Sequence, residues 1–345
     1  MNPLNPSGDI NRRALLGAAM IGAVATELVL SGDAKGQSDI PSVVGSRAFN
    51  LVKQVKAGDL SIGYVELGPT DGLSILLLHG WPYDIHTYAE VAPMLAAKGF
   101  RVITPYLRGY GTTRFLSIDT ARNAQQSVFA TDMVALLDAL GIKQAVVAGC
   151  DWGARTACIL SALWPDRFPA LVSVSGYLIG SQQANSMPLA PKAELSWWYQ
   201  FYFATDRGRL GYAKNRGEFA RLIWRSASPT WTFDPATFER SARALDNPDH
   251  VDIVIHNYRW RLGLAEGDPQ LDTLEAKLAA APSIVVPTIT LEGDANGAPH
   301  PQPSSYSGKF TGPYAHRTIS GGIGHNLPQE APAEFAKAVV DVSRY

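Results

Sequence analysis

The stretch "VVAGCDWGART", Val146 to Thr156, decides the fold. The apolar run "KQAVVAGC" has the composition of a strand buried on both faces. "WGARTACILSALWP" has helical spacing and is stopped by Pro165. Between them Gly149 and Gly153 frame a sharp turn whose small residues let the helix pack close to the strand. Such a turn lifts its middle residue above the sheet, where a nucleophile can stand. That residue is a carboxylate, Asp151, where a hydroxyl would be commoner. Taken alone, the same turn is equally an ordinary helix start with Asp151 as its N-cap.

Outward from this turn, strands alternate with helices. "LVKQVKAGDLSIGYVELG" reads as a hairpin about Gly58, "LSILLLHG" as a buried strand, and "TYAEVAPMLAAKGF" as a helix closed by Gly99. "RVITPYLRGYG" is a strand and loop, "TDMVALLDALGI" a helix, and "ALVSVSG" a strand. The alternation stops near Tyr177, gives way to a helical segment rich in Trp, Tyr and Arg, and resumes with "IVVPTITLEG". The pattern predicts an α/β fold with a mainly parallel sheet covered by helices and a helical cap inserted after the sixth strand. The expected boundaries are 45–176 and 284–345 for the core and 177–283 for the cap.

The chain has 345 residues, is 46% hydrophobic and carries a formal net charge of -1. That length can bury a large core, and near-zero charge without a basic stripe excludes nucleic acid as an expected partner. Cys150 and Cys158 make no disulfide framework, and no Cys/His cluster has metal-ligand spacing, so neither metal nor cofactor is expected. The N-terminus is distinct. Arg12 and Arg13 precede an apolar stretch from Ala14 to Leu30, with small residues near Ala34. This predicts a twin-arginine export signal over residues 1–34, recognised by the export machinery, and a periplasmic mature form without a membrane span.

Four landmarks, "HGWP" at His79–Pro82, "RGYG" at Arg108–Gly111, "GCDWG" at Gly149–Gly153 and "GGIGHNLPQEAP" at Gly321–Pro332, fall in the order and places that a known family would give them. The chain resembles the α/β-hydrolase superfamily and, within it, the epoxide hydrolases, from about Leu51 to the C-terminus. The resemblance implies that Asp151 attacks a saturated carbon and forms an ester, which water activated by His325 then cleaves. It implies backbone N–H donors at Trp81 and Trp152 for the oxyanion. It also implies two cap tyrosines, Tyr199 and Tyr258, that protonate the opening epoxide oxygen, with Tyr202 as an alternative to Tyr199. The implied partners are a small apolar epoxide, or an organohalide, and water.

Three points stay open. The family's supporting acid for His325 falls at Asn296, and Asp294, two residues earlier, is the expected substitute. Haloalkane and haloacid dehalogenases use the same covalent cycle, and the haloalkane enzymes are similar at "DWG", so dehalogenation is the alternative reading. A binding protein on a degenerate hydrolase scaffold is a further one. His79 and Arg108 are expected to shape their loops, and Asp84 and Glu90 to face solvent.

Overall fold

The computed structural model describes Phe49 and residues 51–345; the expected export signal lies outside the described residues. Among the described residues nine strands form one sheet: β1 (Lys53–Ala57), β2 (Leu60–Leu67), β3 (Ser74–Leu78), β4 (Arg101–Pro105), β5 (Arg114–Phe115), β6 (Val146–Gly149), β7 (Leu171–Val174), β8 (Thr288–Gly293) and β9 (Tyr314–Ile319). Their order is β1-β2-β4-β3-β6-β7-β8-β9, with the two-residue β5 paired to β2. β1 and β2 form the hairpin expected about Gly58, which adopts φ +53°. From β4 to β9 every pairing along that order is parallel. The central strands β3, β6, β7 and β8 are buried along their whole length, which is why they read as continuous apolar runs.

The core helices are α1 (Val91–Ala96), α2 (Gln126–Ala139) and α3 (Trp152–Leu163). Between β7 and β8 come α4 (Gln182–Asn185), α5 (Pro191–Ser196), α6 (Trp198–Ala204), α7 (Asp206–Ala227), α8 (Pro235–Ala242), α9 (His250–Arg261) and α10 (Asp272–Ala279). The last helices are α11 (Pro303–Tyr306), α12 (Leu327–Glu330) and α13 (Pro332–Val342). α1 is shorter than the periodicity of its stretch suggests. Pro93 lacks an N–H and is tolerated only in a first turn, so the helix begins at Val91.

Asp84 corrects an expectation. It is fully buried, caps the turn Ile85–Tyr88 through His86 N and bonds His86 Nδ1 at 2.6 Å. Glu90 is exposed. Arg108 ties its loop to α2 through paired bonds to Asp132 at 2.7 and 2.8 Å, with Asn123 at 2.6 Å. Burial holds the Asp132 carboxyl above its usual range despite that guanidinium. Removing one member of such a pair leaves a buried charge uncompensated, which costs about 3–5 kcal/mol. Asp132→Ala should therefore lower the thermal midpoint by several degrees; an unchanged melting curve would show that the pair contributes nothing net.

Candidate active site

Asp151 sits where β6 meets α3, at φ +56° and ψ -120°. A non-glycine residue holds such angles only when its surroundings impose them. Here α3 packs so closely that a methyl group at Gly153 would collide with the carbonyl oxygen of Leu78 on β3. A methyl group at Gly80 would likewise strike the Asp151 carboxyl. The two glycines bring the carboxylate against the loop after β3, where Trp81 N donates to Asp151 Oδ1 at 2.7 Å. His79 shapes this loop: its Nδ1–H donates to Gly80 O at 3.0 Å and its Nε2 accepts from Leu107 N at 3.2 Å. Burial lowers His79 to about 4, so it is neutral there.

His325 lies across from this carboxylate, its Nε2 3.7 Å from Asp151 Oδ2. Burial raises the Asp151 pKa, but His325 and the amides of Trp152 and Trp81 outweigh it and hold the carboxyl below its usual range. Burial likewise opposes charge on His325. The Asp151 carboxylate, with Glu292 and Glu330 behind it, outweighs that and raises the imidazole above its ordinary 6.5.

The expected supporting acid is corrected. Asp294 is exposed and accepts from the backbone N–H groups of Gly321, Gly322 and Ile323 at 2.9–3.0 Å, so it folds the loop ahead of His325 without reaching the ring. Asn296 does not bond the imidazole either; it donates to Glu292 Oε1 at 2.7 Å. Among the described residues, His325 Nδ1 is buried and has no hydrogen-bond partner.

Two residues that the motif spacing did not single out hold the histidine backbone. Glu330 accepts from Gly324 N and Ser228 Oγ, both at 2.6 Å, and Ser228 Oγ accepts from His325 N at 3.0 Å. Glu330 stands five residues after His325 inside a quoted landmark, but Ser228 comes from the helical segment and carries no local signal.

Tyr199, Tyr258 and Trp81 meet above Asp151. The tyrosine rings are 5.5 Å apart at 83°, and Trp81 lies 5.2 Å from Tyr199 and 5.4 Å from Tyr258. Burial, then the facing Asp151 charge, raises Tyr199 to about 12. Burial, with charge from Tyr199 and Asp151, pushes Tyr258 well above the usual range. Both are protonated donors at neutral pH. Tyr202 faces elsewhere and stacks on Phe219 at 11°. Trp152 is buried, with its indole Nε1 unpartnered among the described residues.

A cavity of about 460 Å³ joins Asp151, His325, Trp81, Tyr199 and Tyr258, so core and helical insertion build one site. The insertion is locked to the loop after β3. Trp81 Nε1 donates to Tyr212 OH at 2.9 Å, which donates to His250 Nε2 at 2.8 Å, while His250 Nδ1–H donates to Gly109 O at 2.9 Å.

The model of the α/β-hydrolase fold family matches residues 74–246, half of the chain. The chain belongs to the α/β-hydrolase fold family. A solved protein of Klebsiella pneumoniae subsp. pneumoniae, provisionally assigned as an epoxide hydrolase, is 63% identical with a TM-score of 0.86; the match covers 86% of this chain and 99% of that one. Epoxide hydrolase B of Mycobacterium tuberculosis is 32% identical over 149 residues, 40% of this chain and 41% of the relative. Haloalkane dehalogenase of Psychrobacter cryohalolentis is 34% identical over 120 residues, 35% of this chain and 39% of the relative. The chain thus spans about two fifths of the length of these curated relatives. It is an epoxide-hydrolase-like α/β-hydrolase.

Asp151→Asn removes the charge that opposes burial at His325, so the imidazole should titrate lower than in the wild type. Ring nitrogen shifts followed by NMR measure this, and an unmoved midpoint would place the raising charge elsewhere. Gly80→Ala should displace the Asp151 carboxyl and abolish turnover while leaving the circular dichroism spectrum native.

Proposed function

We propose that the protein is an epoxide hydrolase that works through an ester on Asp151. The observation that carries this reading is that two protonated phenols, Tyr199 and Tyr258, line one cavity with a charged carboxylate, Asp151. Asp151 Oδ2 forms a bond to a ring carbon while the ring C–O bond breaks, and the freed oxygen takes a proton from a tyrosine. Water then adds to the acyl carbon and gives a proton to His325 Nε2. The negative charge falls on Oδ1, which already lies 2.7 Å from Trp81 N. One such donor contributes about 3 kcal/mol at the transition state. Cleavage of the bond between Oδ2 and the acyl carbon releases the diol oxygen, which regains its proton from His325. The carboxyl proton of Asp151 returns to the tyrosinate.

His325→Gln should halt the cycle after the first step. Intact-protein mass spectrometry after epoxide treatment should show one adduct of the epoxide's mass on Asp151. An epoxide-active wild type whose His325→Gln variant gives no adduct would exclude the ester. Asp151→Asn should lose at least about 10⁴-fold in kcat. Tyr199→Phe should lose about 10²-fold, with a larger loss when Tyr258 is also changed.

A second reading rests on the buried indole of Trp152, which follows Asp151 and packs on Tyr258 at 5.9 Å; its N–H is a donor type suited to a departing halide. Halide release from haloalkanes faster than diol formation from matched epoxides would favour it.

We also propose export as a folded protein, supported by the paired arginines and the apolar stretch that follows them. Replacing Arg12 and Arg13 together by lysine should retain the protein, at precursor mass, in the cytoplasmic fraction of a host with twin-arginine export. Unchanged periplasmic recovery would exclude that route.

A further inference from the structure

Two guanidiniums, Arg155 and Arg261, line the same cavity as Asp151. Arg155 follows the nucleophile by four residues on α3, and Arg261 follows Tyr258 by three residues on α9. Residues at these spacings are neighbours on one helix face, so each arginine stands one turn from a reacting group. They face a common space, the cavity that both line. Burial, then the charge of Arg155, lowers Arg261 to about 10, against the raising influence of Tyr258, Tyr199 and Asp151. Both remain cations at neutral pH.

Among the described residues neither makes an ion pair. Arg155 spends one bond, Nε to Leu178 O at 3.3 Å, and Arg261 makes no ion pair among the described residues. Its guanidinium lies 4.6 Å over the Trp197 ring, which orients the fork without neutralising it. Arg259, two residues earlier on the same helix, pairs with Asp206. Arg108, Arg122 and Arg101 pair with Asp132, Asp249 and Glu66. Among the cavity-lining residues Asp151 is the one carboxylate, and it already serves the Trp81 amide and His325. Two half-buried like charges with no anion between them are costly to hold, unless the ligand brings the anion.

We propose that Arg155 and Arg261 form a carboxylate-binding subsite and that the substrates are epoxides carrying an acid group, anchored by the two guanidinium forks with the ring over Asp151. This rests on the epoxide hydrolase reading and narrows its substrate class. Planar forks match a carboxylate in paired hydrogen bonds, and a partly desolvated site strengthens them.

The test compares a homologous series of ω-epoxy carboxylates with their primary amides, which match in shape and lack the charge. The best acid should exceed its amide in kcat/KM by 10- to 100-fold, and Arg155→Gln and Arg261→Gln should each cut that ratio at least tenfold. Amides turned over as well as acids, or a ratio that survives both substitutions, would overturn the proposal. Binding of saturated carboxylates and amides of the same lengths, followed by calorimetry, decides the subsite independently of turnover. Carboxylate-selective binding lost in the double variant supports it even if no epoxide is opened, in which case only the epoxide reading fails. Equal binding of acid and amide overturns the subsite even if neutral epoxides are opened.

Discussion

The close approach of α3 to the end of β3 is the constraint on which the site depends. With only hydrogen on Gly153, the helix backbone reaches the carbonyl of Leu78 and the chain must turn through a positive φ at Asp151. That turn places one carboxylate oxygen on the Trp81 amide and leaves the other toward His325. The two oxygens are thereby distinguished before any substrate arrives. In the proposed cycle Oδ1, on the Trp81 amide, becomes the oxyanion, and Oδ2 is the oxygen that attacks. Preorganisation of this kind needs no rearrangement during reaction, which is where its energetic value lies.

The same geometry gives the proposed cycle a charge-controlled order. In the free protein Asp151 is an anion and supports a proton on His325. A protonated imidazole cannot take a proton from water. Once Asp151 becomes a neutral ester, its support is withdrawn, and burial, the largest influence on the ring, favours the neutral base. Forming the ester therefore prepares the base that removes it. Glu292 and Glu330, which also raise the ring and take no part in the ester, limit how far this swing goes.

The parallel sheet, the elbow at Asp151 and the helical segment between β7 and β8 were legible in the sequence because each rests on local spacing. β5 was not, since a two-residue pairing leaves no period to read. At His325 the limit was of another kind. Counting from Gly293 brought out Asn296 and Asp294, but the loop at Gly321–Ile323 turns its amides onto Asp294 and takes it out of reach. Glu292 lies on the buried strand β8, where an acidic residue is unusual. That burial is visible only once β8 is seen between β7 and β9. Ser228 and Arg261 belong to the insertion, and their meaning depends on how it folds back over the core.

That folding back is fixed by polar contacts as well as by aromatic packing. Burial brings His250 to about 3, and with Gly109 O taking its Nδ1 proton the other nitrogen can only accept. Tyr212 must then donate to His250 and accept from the Trp81 indole, so the proton directions along the chain are determined. Trp81 thus contributes its backbone N–H to Asp151 and its indole N–H to the insertion. The residue that holds Asp151 also fixes the helices carrying Tyr199, Tyr258 and Arg261. A shift of the insertion large enough to open the cavity must break a buried hydrogen bond at Trp81 or drag its loop along. Positioning of Tyr199 and Tyr258 and of the Asp151 carboxylate is therefore one mechanical problem, solved at a single residue.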